Sequence, residues 1–277
     1  MAFQALIGSL DVTAREASGV QWSTATMDGL GASSSTLQVI QKPRQSGGWA
    51  GDAFSTPAHY VLSGLLQAPT QDLLTNARDR LIAAASLSGT VMQVTEASKV
   101  WTSVVRREDE VIFTYVTDVV ARWSVQFIAV DPRKFGLPLS GSTFLPSSSG
   151  GLTVPFTVPF AINSTVVSGQ VSLTNMGNAP GRVVIRLDGP LTGPQVTHSG
   201  SALPLTFASS LVLGAGEWLT VDMDRRTALA NDQASRNSTI TSRGWSAFDP
   251  GPNTWSFTAT GYNALSKMTV TAYPAGL

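Results

Sequence analysis

Val120-Ala-Arg-Trp-Ser-Val-Gln-Phe-Ile-Ala-Val-Asp-Pro132 decides how the first half of this chain is read. Ala121, Trp123, Val125, Phe127 and Ala129 alternate with Arg122, Ser124 and Gln126, the period-two pattern of a strand with one face in a core and the other toward solvent. Asp131-Pro132 stops it, because proline has no N–H to give a ladder and restricts the residue before it. Working outward, strand-like runs recur upstream at 3–7, 21–27, 37–40, 91–95, 100–106 and 111–117. Downstream, the Ser/Gly/Pro-rich run 140–151 reads as a linker. The expected organisation is a β-rich N-terminal domain over 1–139, that linker, and a second domain over 152–277.

A single helix is predicted in the first domain, over 70–86. Thr70 can cap it, Asp72 lies in the positively polarised first turn, and Gly89 follows its end. Leu73, Leu74, Ala77, Leu81, Ile82 and Ala85 share a face and leave Asp79 and Arg80 to solvent. Before it, Lys42-Pro-Arg-Gln-Ser-Gly-Gly-Trp-Ala-Gly-Asp52 is a polar, glycine-rich run too long for a tight turn, and it reads as a projecting arm or long loop.

The second half shows no helical period. Alternating runs recur at 170–174, 182–188, 203–207, 218–223, 254–259 and 267–273, separated by Asp188-Gly-Pro190, Gly214-Ala-Gly216 and Asp249-Pro-Gly-Pro252. Val183, Ile185 and Leu187 face one way, as do Leu219, Val221 and Met223, and Met268, Val270 and Ala272. That spacing is a β-sandwich pattern. The fold class is therefore mainly β throughout.

Composition narrows the function classes. Hydrophobic residues make up 43% and charged ones 13%, which suits extended sheet and leaves little charge on any contact surface. Eighteen basic and eighteen acidic residues cancel, so no global field attracts nucleic acid or an anionic membrane. Without cysteine there is no disulfide frame, thiolate metal site or thiol nucleophile, and folding in a reducing cytoplasm fits best. The first ten residues carry no Lys or Arg and alternate like a strand, unlike a signal peptide. No run approaches the ~20 apolar residues of a membrane helix. The Asn-Ser-Thr runs at 163–165 and 237–239 match a glycosylation pattern only by chance on this reading.

Catalytic residues are not expected. His59 and His198 are the only histidines, neither with a carboxylate close in sequence, and both read as structural or surface residues. Asp222 and Asp224 with Glu217 form the best acidic cluster, which a strand end beside Arg225 and Arg226 explains more simply than a calcium or glycosidase site. Gly29-Leu-Gly-Ala-Ser33 lacks the helix that a phosphate loop requires. No metal ligand set or cofactor motif is present. Trp255 and Phe257 alternate into a core, whereas Trp49, on the polar run, and Trp245, in Ser242-Arg-Gly-Trp245, are harder to bury locally. Those two are the expected partner contacts, with Arg44 and Asp52 beside Trp49. A carbohydrate-binding sandwich presenting Trp245 or Trp218 to a glycan is the rival reading.

The order of these features resembles the distal tail protein family of long-tailed phages. In the first half the resemblance rests on Lys42-Pro-Arg-Gln-Ser-Gly-Gly-Trp49, the helix from Thr70, and Phe127-Ile-Ala-Val-Asp-Pro-Arg133 before Phe135. In the second it rests on Asn175-Met-Gly-Asn-Ala-Pro180, Val184-Ile-Arg-Leu-Asp-Gly189, Leu213-Gly-Ala-Gly-Glu-Trp-Leu-Thr-Val-Asp222, and Trp245 before Pro250-Gly-Pro-Asn253. The resemblance implies an N-terminal domain that assembles into a homohexameric ring continuing the tail tube, and a C-terminal galectin-like β-sandwich. It implies a structural role in the virion, at the tail tip. The implied partners are further copies of itself, the tail tube, tape measure and baseplate proteins, and a receptor-binding protein or glycan, with no membrane or specific nucleic-acid partner. The run after Trp245 departs from the family pattern, with only a shortened Pro-Gly-x-Asn turn.

Overall fold

The computed structural model describes residues 3–145 and 169–277, and the chain divides into two compact units, Met1–Gly136 and Leu137–Gly276. The first unit begins with β1 (Phe3–Ile7), β2 (Leu10–Asp11), β3 (Gln21–Asp28), β4 (Ser35–Gln41), β5 (Gly48–Ser55) and β6 (Ala58–Gln67). Helix α1 (Gln71–Ala84) follows, then β7 (Thr90–Glu96), β8 (Lys99–Arg107), β9 (Ile112–Thr117), β10 (Val120–Ala129) and β11 (Lys134–Gly136). The strand that opened the sequence reading is β10, and it is central: β6 pairs along its whole length from Val120↔Gln67 to Ala129↔Ala58, and β9 borders it on the other side. β3 extends this sheet beyond β6. The other sheet runs β2-β1-β7-β8-β11. All pairs are antiparallel.

The alternation in β10 does what its period dictates, burying Ala121, Trp123, Val125, Phe127 and Ala129. They share a core with Trp22, Leu62, Met92 and Val94, and the rings of Trp22 and Trp123 meet edge to face with centroids 6.1 Å apart. Such a pair adds about 0.5–1.5 kcal/mol beyond its buried area. Thr70 caps α1 by accepting a hydrogen bond from the Leu73 N–H at 3.3 Å. The helix buries Leu74, Ala77 and Leu81. Its apolar stripe is narrower than the sequence suggests, for Ile82 is 42% exposed. Arg80 instead reaches Glu16, whose carboxylate also accepts from the Trp22 indole at 2.7 Å, so the helix is tied to the loop before β3. Burial alone would raise the Glu16 pKa, but the bonds from Arg80, Trp22 and Ser18 outweigh it and hold the group below its ordinary value.

The second unit comprises β12 (Leu139–Phe144), β13 (Gln170–Asn175), β14 (Ala179–Asp188), β15 (Leu191–His198), β16 (Leu205–Phe207), β17 (Val212–Leu213) and β18 (Trp218–Asp222). It continues with β19 (Thr227–Ala230), β20 (Ala234–Ser235), one 3₁₀ turn over Asn237–Thr239, β21 (Ile240–Arg243), β22 (Gly251–Tyr262) and β23 (Lys267–Gly276). Two antiparallel sheets result. One is β12-β23-β14-β18-β19-β20, and the other β13-β22-β15-β16-β21 with β17 beside β15. Ile185, Leu187, Val221 and Val270 from the first sheet and Val196, Phe207, Trp255 and Phe257 from the second are buried in one core, which makes this unit a β-sandwich. The Asp249-Pro-Gly-Pro turn forms as expected, with Gly251 at φ +94°, the third-position conformation a type II turn requires.

Two readings change. Residues 140–144 are not linker but most of β12, which pairs with β23 from Leu139↔Ala272 to Phe144↔Lys267. Its Ser/Gly composition reflects crowding, since a Cβ on Gly141 would sit 2.7 Å from Val171 Cγ1. The remaining linker positions, 146–151, and the Asn-Ser-Thr run at 163–165 lie outside the described residues. After the strand stop at Asp131-Pro132 the first unit adds β11, which pairs with β8, and the boundary falls between Gly136 and Leu137 rather than after 139. The run 191–198, which shows no clear alternation, is β15. Pro194 is tolerated where its flanking partner changes from β17, opposite Thr192, to β16, opposite Gln195. Among the described residues no helix is long and apolar enough to cross a membrane.

Candidate functional site

The run 42–52 is a hairpin rather than a loop: Lys42–Gly47 form its turn, closed by the Lys42 N–H donating to the Gly47 carbonyl at 3.1 Å, and Gly48 onward is β5. β4 and β5 make a two-stranded sheet of their own, with Leu37↔Ala53, Val39↔Ala50 and Ile40↔Trp49 in register. Every residue of both strands is exposed. Trp49 is 57% and Phe54 68% exposed, and Leu37, Val39 and Ile40 join them. Large apolar side chains concentrated on one unsupported hairpin mark a surface built to be covered. Arg44, Trp49 and Asp52, expected as contacts, are thus brought together on this hairpin. Arg44 sits in the turn with φ +62°, a left-handed conformation uncommon outside glycine, and Lys42 Nζ lies 5.9 Å from the Trp49 ring centroid.

The base of the hairpin is fixed to its unit. Gly29 has φ +92°, and a Cβ there would lie 2.0 Å from the His59 carbonyl oxygen, so only glycine permits that approach. Lys134 donates to the carbonyls of Leu30 at 2.6 Å and Gly31 at 2.7 Å, and its ammonium is 5.8 Å from the Trp101 ring centroid. Burial pushes the Lys134 pKa below its ordinary value. The hydroxyls of Ser34 and Thr56 meet at 2.6 Å, and the Thr56 N–H donates to the Ser34 carbonyl at 2.8 Å. Gly29-Leu-Gly-Ala-Ser33 is therefore a backbone anchor. Sequence inspection did not single out Lys134, which lies more than one hundred residues from the carbonyls it holds; |i−j| is 104 for Leu30.

The titratable groups considered for chemistry are engaged elsewhere. His198 is buried against Trp255, with ring centroids 5.0 Å apart. Its Nε2 lies 2.9 Å from Asn253 Oδ1 and its Nδ1 accepts from the Gly200 N–H at 3.3 Å, contacts that the neutral Nε2–H tautomer satisfies together. His59 Nδ1 lies 2.7 Å from Glu108 Oε2 on an exposed face, a carboxylate that sequence proximity did not reveal. Asp222 accepts from the Arg225 N–H at 2.9 Å, Asp224 lies 3.7 Å from Arg182 Nε, and Glu217 accepts from the Gly214 N–H at 2.6 Å. The three acids thus close turns and pair with separate partners. Among the described residues no three His, Asp or Glu side chains cluster as metal ligands would.

Trp245 is placed apart from the hairpin residues, in the second unit. It is half-buried, packs on the sandwich core, and lines a cleft of about 540 Å³ with Arg226, Asn237, Ile240 and Arg243. Gly244 makes its position possible, since a Cβ there would lie 2.0 Å from the Leu203 carbonyl oxygen. Trp218 is differently situated: Arg186 covers its ring at 4.4 Å, and its indole N–H donates to Asp232 at 3.1 Å.

No protein-family model matches the chain, and no curated protein does. Among solved structures, its fold is similar to the Dit protein of phage SPP1, described as a paradigm of the hub adsorption apparatus in phages infecting Gram-positive bacteria. The TM-score is 0.68 at 12% identity, over 98% of each chain. It is also similar to a chain of the phage P2 baseplate in its activated conformation with Ca, with TM-score 0.58 at 12% identity over 99% of this chain and 98% of that one. The same baseplate with Sr gives 0.54 at 12% identity. What these likenesses establish is a shared fold over nearly the whole chain.

Proposed function

We propose that this chain is a structural phage tail protein of the distal tail family, six copies of which close into a ring joining the tail tube to the tip or baseplate. Two observations support the reading. The fold likeness to tail hub and baseplate proteins covers both units, so the combination of a β-rich unit with a sandwich is shared as a whole. The observation that carries assembly is the β4–β5 hairpin, whose five large apolar side chains are exposed among the described residues. A ring of identical subunits needs a heterologous contact, in which one patch meets a different patch on the next copy. The hairpin supplies the first patch, with Trp49 as the anchor and Arg44 and Asp52 at its polar rim.

On this reading the protein works by shape and attachment, without catalysis, in the virion tail after assembly in the host cytoplasm. The first unit forms the ring, and the sandwich carries contacts to tail tip or receptor-binding components. Negative-stain images of the purified chain test it: a six-fold particle with a central hole is expected, and a uniformly monomeric field at micromolar concentration contradicts it.

A further inference from the structure

We infer that the cleft around Trp245 binds an anionic saccharide unit. Its two arginines reach it from separate places, Arg226 from the turn between β18 and β19 and Arg243 from the end of β21. Among the described residues neither guanidinium pairs with a carboxylate or donates a hydrogen bond. The acids nearest in sequence are committed elsewhere, Asp222 to Arg225 and Asp224 to Arg182. Arg186 beside Trp218 shows the contrast, because it is paired with Asp188 at 2.8 Å and its indole is already covered. Of the two Arg/Trp sites in the sandwich, one is internally satisfied and the other is open.

The open site is also held in place. Asn237 accepts from the Ala228 N–H at 2.7 Å and donates to the Arg226 carbonyl at 3.1 Å, which fixes the turn at Arg226 in its left-handed conformation, φ +57°. Ser242 donates to the Pro204 carbonyl at 2.7 Å, and the Gly244 approach to Leu203 sets the adjoining indole. Planar guanidinium forks match carboxylate or phosphate oxygens, whereas an indole beside Ile240 offers an apolar platform for the C–H face of a sugar ring. The volume, about 540 Å³, lies within the range of small-ligand clefts. An acidic group carried on a sugar ring meets both requirements together. The inference stands on this cleft alone and is independent of ring formation.

Calorimetric titration of the full chain with glucuronic acid, glucose 6-phosphate, glucose, inorganic phosphate and tetraglutamate tests it. The acidic sugars are expected to bind with Kd of about 1 mM or tighter, and the other three at least about tenfold more weakly. Arg226→Gln and Arg243→Gln should each weaken acidic-sugar binding about tenfold and leave the melting temperature unchanged, since neither guanidinium has a partner to lose among the described residues. Glucose or inorganic phosphate binding as tightly as the acidic sugars overturns the inference. So does tighter binding of tetraglutamate, the absence of heat for both acidic sugars at about 20 mM, or undiminished binding in the two arginine variants.

Discussion

β6 and β10 on one side, and β4 and β5 on the other, are antiparallel pairs in the same unit with opposite fates. In the first pair alternate side chains are buried, Tyr60, Leu62 and Leu66 on one strand and Trp123, Val125 and Phe127 on the other. In the second pair nothing is buried, although Leu37, Val39, Ile40, Trp49 and Phe54 are as apolar as a core strand's residues. Burial of such side chains is worth roughly 1.5–3 kcal/mol each. The core pair gains this within the chain. The hairpin gains none of it among the described residues, and on the proposed reading it gains it against a neighbouring copy.

The largest expected effect strikes the core pair. Trp123→Ala should cost about 3–5 kcal/mol in urea unfolding, because it opens a cavity against Trp22; a loss below about 1 kcal/mol would break the comparison. Lys134→Met removes the two hydrogen bonds that Lys134 donates at the hairpin base, and about 1–3 kcal/mol of local stability is expected to go with them. Amide exchange should accelerate over 30–56 while β6 and β10 stay protected, and uniform acceleration would show that the hairpin is not a separable element. A smaller effect concerns acid. The folded pKa of Glu16 lies below its unfolded value, so its contribution is complete above the ordinary carboxylate range and is lost as pH falls through the folded value. Glu16→Gln should remove about 1 kcal/mol of acid sensitivity from melts between neutral pH and pH 3. Smallest of all, Trp49→Ala should change the unfolding free energy of dilute monomer by no more than about 0.5 kcal/mol, as expected for a side chain that touches no core.

Legibility in the sequence followed how local the cause was. β10 could be read because its alternation and proline stop lie within the strand itself, and α1 because Thr70 and its apolar stripe are adjacent. β5 could not, since Gly48-Trp-Ala-Gly-Asp52 has the composition of a loop and nothing in it shows the pairing with β4. β12 was hidden for the same reason: Gly141 is dictated by Val171, thirty residues on and in another strand. The exposure of the hairpin was legible through Trp49, an indole on a polar run. The cleft was half legible. Trp245 stood out, but Arg226 read as part of a solvated strand end and Arg243 only as a neighbour of Trp245, until the fold brought both beside it. The Lys134 anchor had no local signal at all.

Light scattering of the purified full chain beside Trp49→Ala, at one shared protein concentration, tests the central claim that the hairpin drives assembly. The account predicts the mass of six copies for the natural chain and a shift to monomer for the variant, with both retaining the same circular dichroism. A natural chain that stays monomeric, or a Trp49→Ala variant that assembles unchanged, would contradict it.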